Sequence, residues 1–410
     1  MRIAVDAMGG DHAPDEIVRG ALLYRRMGGT ADVVLVGQEQ RLRPLLGSAH
    51  PGVEIQHAAE VIAMDEHPAN ALRRRSDTSI GVATTLVKKG EAEAVVSAGS
   101  TGATMAAALL VLGRVRGIDR PALCGMLPVL GERPATCLLD AGATMDADAR
   151  NLVQYARMAT WFMEKVHGVA SPSIGLINVG EESEKGDKIR LEAHALLSAS
   201  GMNFYGNIEG RDVLRGVTDI SLCDGFTGNV LAKGLESAFD VVQVGIRGDI
   251  FGGPLGKIAA ALAYPGIRKF RHRFDYDQYV SAPLLGIAGV SVVTHGRARA
   301  NMVRWAIAVA ERAVSSRLGC RPCSRSTSTA PTRRRPGSAA RSVPASPTRP
   351  RTSRGSSSKA SSNIGRSSTS RSISWRRSSR SSRWRASIAT CYASRSTSCA
   401  CSVTHQPPRS

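Results

Sequence analysis

The chain has 410 residues, with 54 Lys and Arg against 34 Asp and Glu and a formal net charge of +20; it is long enough for two domains or one large one with a sizeable core. Such a charge suggests a nucleic-acid binder, but it is confined to one end: residues 321–410 hold 18 Arg, one Lys and no acid, leaving residues 1–320 with 35 basic and 34 acidic residues. The body therefore reads as a neutral globular protein. No apolar run is long enough to span a bilayer, and no signal-peptide core follows Met1, so the expected location is cytoplasmic.

In chain order, "RIAVDA" predicts a buried strand, followed by a Gly-rich turn and the helix "DEIVRGALLYRR". "ADVVLVG" is a strand, "QEQRLRPLL" a helix and "VEIQHA" a strand. The helix "TSIGVATTLVKKG", the strand "AEAVVSAG" and the helix "TGATMAAALLVLGRV" come next. "ATCLLDAGA" is a strand that feeds a long helix from about Asp148 to Val166. "SIGLINVG", "MNFYGNI" and "VTDISLCDG" are further strands with helices between them. Alternating strand and helix predicts an α/β fold in three layers, a mostly parallel sheet with helices on both faces. Ligands bind such sheets outside the carboxyl ends of the strands.

Residues 319–410 form the second expected division. Arg, Ser, Thr, Pro and Ala without an apolar period cannot bury enough surface to offset conformational entropy, so this tail is expected to be disordered. Its lack of acids fits out-of-frame translation of a GC-rich gene; the functional alternative is an RNA-binding tail. Cys320 and Cys323 form a lone C-x-x-C without a second pair. Cys124, Cys137 and Cys223 sit in apolar body sequence and read as small buried hydrophobes.

Five strand-end turns carry the chemistry: residues 6–14, 97–103, 139–144, 177–187 and 224–229. Glycine there permits close approach of backbone to a ligand, and N–H groups at a helix start bind anions. The dinucleotide fingerprint G-x-G-x-x-G after the first strand and the esterase elbow G-x-S-x-G are both absent. What remains is a polar, anion-binding cleft without an evident covalent nucleophile. That suits a reaction in which the nucleophile is itself a bound anion.

"VDAMGGDHAP", "SAGSTGA", "LLDAGAT", "GLINVGEESEKGD", "GNIEGRD", "DGFTGNVLAK" and "APLLGIAGVSVVTHG" stand in the order of the bacterial phosphate acyltransferase family, which this chain resembles from Met1 to about Leu318. The resemblance implies transfer of a long acyl chain from acyl carrier protein to inorganic phosphate for phospholipid synthesis. It also implies a fold similar to isopropylmalate dehydrogenase, a homodimer, peripheral membrane association, and a product handed to a glycerol-3-phosphate acyltransferase. No metal or organic cofactor is called for. A short-chain acyl-coenzyme A phosphotransacylase is the alternative enzyme. This chain has Ser100 and Thr144 where the family has Asn, Val280 and Ser281 where it has Gly-Gly, and Arg297 and Ala298 where it has small hydroxyl residues.

With that chemistry, Lys185 and Asn229 are the expected catalytic pair, one a cation for phosphate and the other an amide donor. Thr227 and Gly228 would line the pocket. Gly9, Gly10, Ser97, Gly99, Ser100, Thr101, Gly102, Asp140 and Asn178 complete the expected phosphate and substrate site. Asp6, Asp11 and Asp224 would orient donors, or alternatively form Asx turns and helix caps. His295 closes an apolar strand, as a ligand or as a satisfied structural histidine. In "IFGGPLGKIAAALAYPGIRKFRHRF", Phe251, Leu255, Ile258, Leu262 and Tyr264 are spaced roughly as one helical face. Gly-Gly-Pro and Pro-Gly would bound that helix. With the basic cluster Arg268, Lys269 and Arg271, the stretch is expected to meet an anionic membrane or the carrier protein.

Overall fold

The structure, a computed structural model, describes residues 1–316 apart from 48, 49, 64, 65, 131, 132, 275 and 280; the side chains of Arg271, His272 and Tyr276 are also outside the description. The readings of residues 319–410 and of Val280 thus lie outside the described residues.

The chain opens as alternating strands and helices: β1 (Arg2–Asp6), α1 (Asp15–Arg26), β2 (Asp32–Gly37), α2 (Glu39–Leu46) and β3 (Val53–His57). Two helices, α3 (Pro68–Arg74) and α4 (Ser79–Lys89), lead back to β4 (Ala94–Ser97). Next, α5 (Thr101–Ala107) runs on through a π-helical turn to Leu112. β5 (Ala122–Leu123) and β6 (Gly125–Pro128) follow, separated only by Cys124. The second half contains β7 (Ala135–Leu139), α6 (Ala149–Val166), β8 (Ile174–Ile177), α7 (Lys188–Ser198), β9 (Phe204–Ile208), α8 (Gly210–Arg215) and β10 (Ile220–Leu222). The helix α9 (Gly225–Gly245) continues through a π turn to Ile250, before α10 (Pro254–Leu262) and α11 (Tyr264–Arg273). β11 (Ala282–Leu285), β12 (Val290–Val293) and α12 (Ala300–Ser315) complete the described chain.

The expected mostly parallel sheet is present as two sheets. One has the order β3-β2-β1-β4-β12-β11-β5, the other β6-β7-β10-β8-β9. The antiparallel pairings, β12 with β11, β11 with β5 and β6 with β7, fall where the chain passes from one sheet to the other. Strands such as β4 and β12 are buried along their whole length, as parallel strands covered on both faces must be. In the first sheet, α1 and α12 cover one face through Ile17, Tyr24, Val303 and Ile307, while α4 and α5 cover the other through Ile80, Ala83 and Ala107. In the second, α6 presents Leu152, Tyr155, Ala159 and Phe162 at helical spacing to one face. The start of α6 is fixed by a reciprocal cap: Asp148 accepts from the Asn151 N–H at 2.8 Å, and Asn151 Oδ1 accepts from the Asp148 N–H at 3.1 Å.

One boundary differs from expectation. The Tyr264-Pro265-Gly266 run, read as the end of the apolar helix, opens α11 instead, with Pro265 in its first turn. Proline is tolerated there because a first-turn N–H has no intrahelical partner to lose. Among the described residues, no helix is long and apolar enough to cross a membrane.

Candidate active site

The strand order of the first sheet reverses between β1 and β4, and an open α/β sheet leaves a crevice at that point. Asp6 ends β1 and Ser97 ends β4, and both are buried. The Ser97 hydroxyl donates to Asp6 Oδ2 at 2.7 Å, and the Met8 N–H donates to Asp6 Oδ1 at 3.3 Å. Burial raises the Asp6 pKa, against the lowering effect of its hydroxyl and N–H donors. A Cβ on Gly9 would lie 2.6 Å from Asp6 Oδ2 and 2.8 Å from the Gly99 nitrogen, so only glycine lets these two turns touch. The Asp11 N–H, just past Gly10, donates to the Gly296 carbonyl at 2.8 Å and draws in the turn after β12.

In the second sheet, Asp140 ends β7, fully buried. Its Oδ1 accepts from the N–H groups of Leu123, Gly142 and Ala143 at 2.8, 3.0 and 2.9 Å, and its Oδ2 from that of Thr144 at 2.7 Å. Leu123 belongs to β5, so this carboxylate ties one sheet to the other. Burial raises its pKa, opposed by the four N–H donors. The Thr144 hydroxyl donates to the Pro121 carbonyl at 2.9 Å, which satisfies a residue where the family pattern has Asn.

The turn "DGFTGN" is the first turn of α9. Asp224 caps it, accepting from the Thr227 N–H at 2.9 Å and the Thr227 hydroxyl at 2.8 Å. Arg190, from α7, forms an ion pair with Asp224, donates to the Thr227 hydroxyl at 3.1 Å and pairs with Asp187 at 2.7 Å. Burial opposes the Asp224 charge, but Thr227 and Arg190 outweigh it and hold its pKa below the ordinary carboxylate value. The glycines of this turn are packing devices: a Cβ on Gly228 would lie 1.9 Å from the Asp140 carbonyl oxygen.

The two sheets and α9 bound a cleft with a cavity volume of about 410 Å³. Asp11, Gly99, Ser100, Thr101, His295 and Arg297 line one wall, from turns of the first sheet. Asn229, Lys233 and Glu236 line the facing wall, four and then three residues apart along α9. The Arg297 N–H donates to His295 Nδ1 at 3.1 Å, which assigns the proton of the neutral ring to Nε2. That Nε2 lies 3.8 Å from Glu236 Oε1 on the facing wall. Met126, Leu127 and Leu138 give the cleft an apolar side.

Of the residues singled out in the sequence, Asp11, Gly99, Ser100, Thr101, Asn229 and His295 thus line one cleft. Asp6, Gly9, Ser97, Asp140, Asp224, Thr227 and Gly228 are spent on one another, holding the turns. Gly102 lies in the first turn of α5. Lys185 does not line the cleft. Its residue is exposed in the loop between β8 and α7, where Asn178 Nδ2 donates to the Lys185 carbonyl at 2.9 Å. Asp187 and Arg190 connect that loop to the first turn of α9. Sequence reasoning missed Lys233 and Glu236, although their helical spacing from Asn229 was a usable signal. It had none for Arg190, whose role depends on where α7 lands.

Cys124, Cys137 and Cys223 are wholly buried, and burial pushes the Cys124 and Cys223 thiols well above their usual range. Farther along, Leu255, Ile258 and Leu262 of α10 are 82%, 59% and 81% exposed. Phe251 precedes that helix, and Arg268 and Lys269 are exposed on α11.

The cleft of this α/β fold thus gathers hydrogen-bond donors with the cations Lys233 and Arg297, and no described thiol lines it. The model of the family described as "Fatty acid synthesis protein" matches residues 1–321. A phosphate acyltransferase of Pelotomaculum thermopropionicum is 48% identical over 324 residues, 78% of this chain and 93% of that protein. A phosphate acyltransferase of Heliobacterium modesticaldum is 46% identical over 318 residues, 77% of this chain and 94% of that one. The chain belongs to this phosphate acyltransferase family. Among solved structures, a phosphotransacetylase from Streptococcus pyogenes is similar at a TM-score of 0.49 and 18% identity, covering 77% of this chain and 94% of that one.

Proposed function

We propose that the protein transfers a long-chain fatty acyl group from the thioester of acyl carrier protein to inorganic phosphate, making acyl phosphate for phospholipid synthesis. The observation that carries this reading is the facing of Asn229 and Lys233 on α9 toward Ser100, Thr101, His295 and Arg297 across one cleft. A phosphate oxygen attacks the thioester carbonyl carbon, the C–O bond forms, the C–S bond breaks, and the sulfur leaves as thiolate and takes up a proton. A thiolate, whose conjugate acid has a pKa of about 8.5, leaves readily. Positioning of phosphate and stabilisation of the oxyanion therefore supply most of the rate.

Each residue has a role in that step. The Asn229 amide donates to the developing oxyanion. Lys233 and Arg297 offset the phosphate charge, and the Ser100 and Thr101 hydroxyls donate to its oxygens. Lys185 is a rim cation, whose loop is bonded through Arg190 to the turn that presents Asn229. Asp6, Asp140 and Asp224 keep the turns rigid. The exposed apolar face of α10, with Arg268, Lys269 and Arg271 after it, suits an anionic lipid surface or the acidic carrier protein, at about 1 kcal/mol per basic residue near headgroups. The reading includes a homodimer in the cytoplasm, bound peripherally to the membrane, whose product passes to a glycerol-3-phosphate acyltransferase.

The test is acyl phosphate formation from phosphate and either palmitoyl-acyl carrier protein or short-chain acyl-coenzyme A. Preference for the carrier-protein thioester is the expected result. Turnover of the short coenzyme A thioester alone would replace this reading with that of a short-chain phosphotransacylase.

A further inference from the structure

The polar cleft continues past Glu236. Leu214, Leu235, Phe239 and Phe274 line it and also line a second cavity of about 1310 Å³, roughly three times larger. This second space lies among α9, its π-helical extension, α11 and the start of α12. We propose that it is the acyl-chain chamber of the enzyme, with Phe239 and Phe274 as the neck through which the chain enters from the cleft. The proposal rests on the acyl-transfer reading above.

Three observations select an acyl chain as the occupant. The four residues shared by the two cavities are all apolar, so no polar group interrupts the path between them. The ends differ in chemistry as the ends of an acyl thioester do. Donors and cations gather where the carbonyl and phosphate react, and Val242, Ile246, Ile267 and Met302 lie beyond the neck. The boundary between them is aromatic and closed: the Phe239 and Phe274 rings are in contact, their centroids 5.8 Å apart, and Phe270 backs Phe274 at 4.8 Å, so these rings must turn aside for a chain to pass. The charged members Asp240, Arg247, Arg268 and Lys269 are exposed, and so are the apolar members Val242 and Ile246, so the space is a groove open to solvent along one side.

A chain too short to reach the neck gains nothing from the chamber. Past that length each methylene buried should raise kcat/KM roughly fourfold. The neck would therefore set which donors the enzyme prefers.

The experiment measures kcat/KM for acyl phosphate formation with donors from butanoyl to octadecanoyl, in the full chain and in two variants. Ala238→Trp fills the chamber from an exposed position on α9 that does not line the cleft, and Phe239→Ala opens the neck. The expected result is a hexadecanoyl-to-butanoyl ratio of kcat/KM at least tenfold lower in Ala238→Trp, and a flatter chain-length profile in Phe239→Ala. Palmitate binding, followed by tryptophan fluorescence or calorimetry, should weaken in Ala238→Trp by a similar factor. Unchanged ratios and unchanged palmitate binding in both variants would overturn the chamber. Altered dimerisation or vesicle binding with an intact chain-length profile would do the same, and would make this space an interface. If no donor is turned over by the wild-type protein but palmitate binds and Ala238→Trp abolishes it, the chamber stands and the transfer reading fails.

Discussion

Replacing Gly228 with Ala tests the packing on which the candidate site depends. The added Cβ would lie 1.9 Å from the Asp140 carbonyl oxygen, 2.9 Å from its carbon and 3.0 Å from Cys223 Sγ. The first two are backbone atoms, held by four N–H bonds to the Asp140 carboxylate, so neither can rotate away. Ordinary contact begins at 3.4 Å, so the start of α9 must retreat by about 1.5 Å, carrying Asn229 with it. A displacement near 1 Å at a reacting group typically costs about a hundredfold in rate. Overpacking of this kind costs about 1–3 kcal/mol, a fall of roughly 2–10 °C in melting temperature. The matched control is Gly234→Ala in the same helix. Nothing lies within 4 Å of its Cβ, and the change should stabilise by a few tenths to about 1 kcal/mol. Acyl phosphate release and thermal unfolding of both variants provide the measurement. Wild-type turnover and melting temperature in Gly228→Ala would refute the claim that this turn is built around close backbone approach.

The other expectations concern charge, the amide donor and the tail. Lys233→Ala should raise the phosphate KM or lower turnover at least tenfold, since a charge-assisted contact is worth about 1.5–3 kcal/mol, whereas Lys185→Ala, outside the cleft lining, should have the smaller effect; near-normal phosphate kinetics in Lys233→Ala would remove that lysine from the site. Asn229→Ala should lower turnover more than binding, by about 10²–10³, if its amide meets the oxyanion only in the transition state. A KM effect alone would assign it to substrate binding. Asp224 has a folded pKa below its ordinary value of 3.8, so its stabilisation is present above that pH and is lost as pH falls through the folded value. The melting-temperature advantage of wild type over Asp224→Asn should therefore shrink between pH 5 and strongly acidic solution; a constant gap would contradict the ion pair with Arg190. Truncation after Leu318 should leave the melting temperature and acyl transfer unchanged, and a clear loss of either would end the reading of residues 319–410 as out-of-frame sequence.

Where hydrophobic period was strong, sequence and structure agree closely. The helix read in "DEIVRGALLYRR" is Asp15–Arg26, because Ile17, Val18, Ala21 and Tyr24 define one buried face without help from distant residues. The long helix beginning at Asp148 was visible for the same reason, with a cap to fix its start. Short elements were not visible. β5 is Ala122–Leu123 and exists because Leu284 and Leu285 of β11 pair with it, a partner more than half the body away. The division into two sheets was hidden likewise, since the turn of the chain at Cys124 carries no local mark.

The site was half legible. Glycine-rich strand ends announced where it lies, but not which polar groups remain free after folding. Thr227 looked like a pocket hydroxyl and is committed to Asp224 and Arg190. Lys233 was not singled out in the sequence, and it faces the cleft. Both facts depend on how α7 and α9 meet, which no local pattern encodes.

The place of β12 between β4 and β11 bears on how the protein is made. Ala94–Ser97 of β4 acquires its second neighbour only when Val290–Val293 has been synthesised. At typical ribosome speeds that interval is roughly 10–40 s. The strands of the second sheet, β6 to β10, emerge within it and can pair among themselves, so the middle of the chain can close before the beginning does. Throughout, β4 presents an unpaired apolar edge to other nascent chains, the kind of surface that seeds aggregation. Yield in a cell should therefore follow translation speed and chaperone supply more closely than the stability of the finished fold.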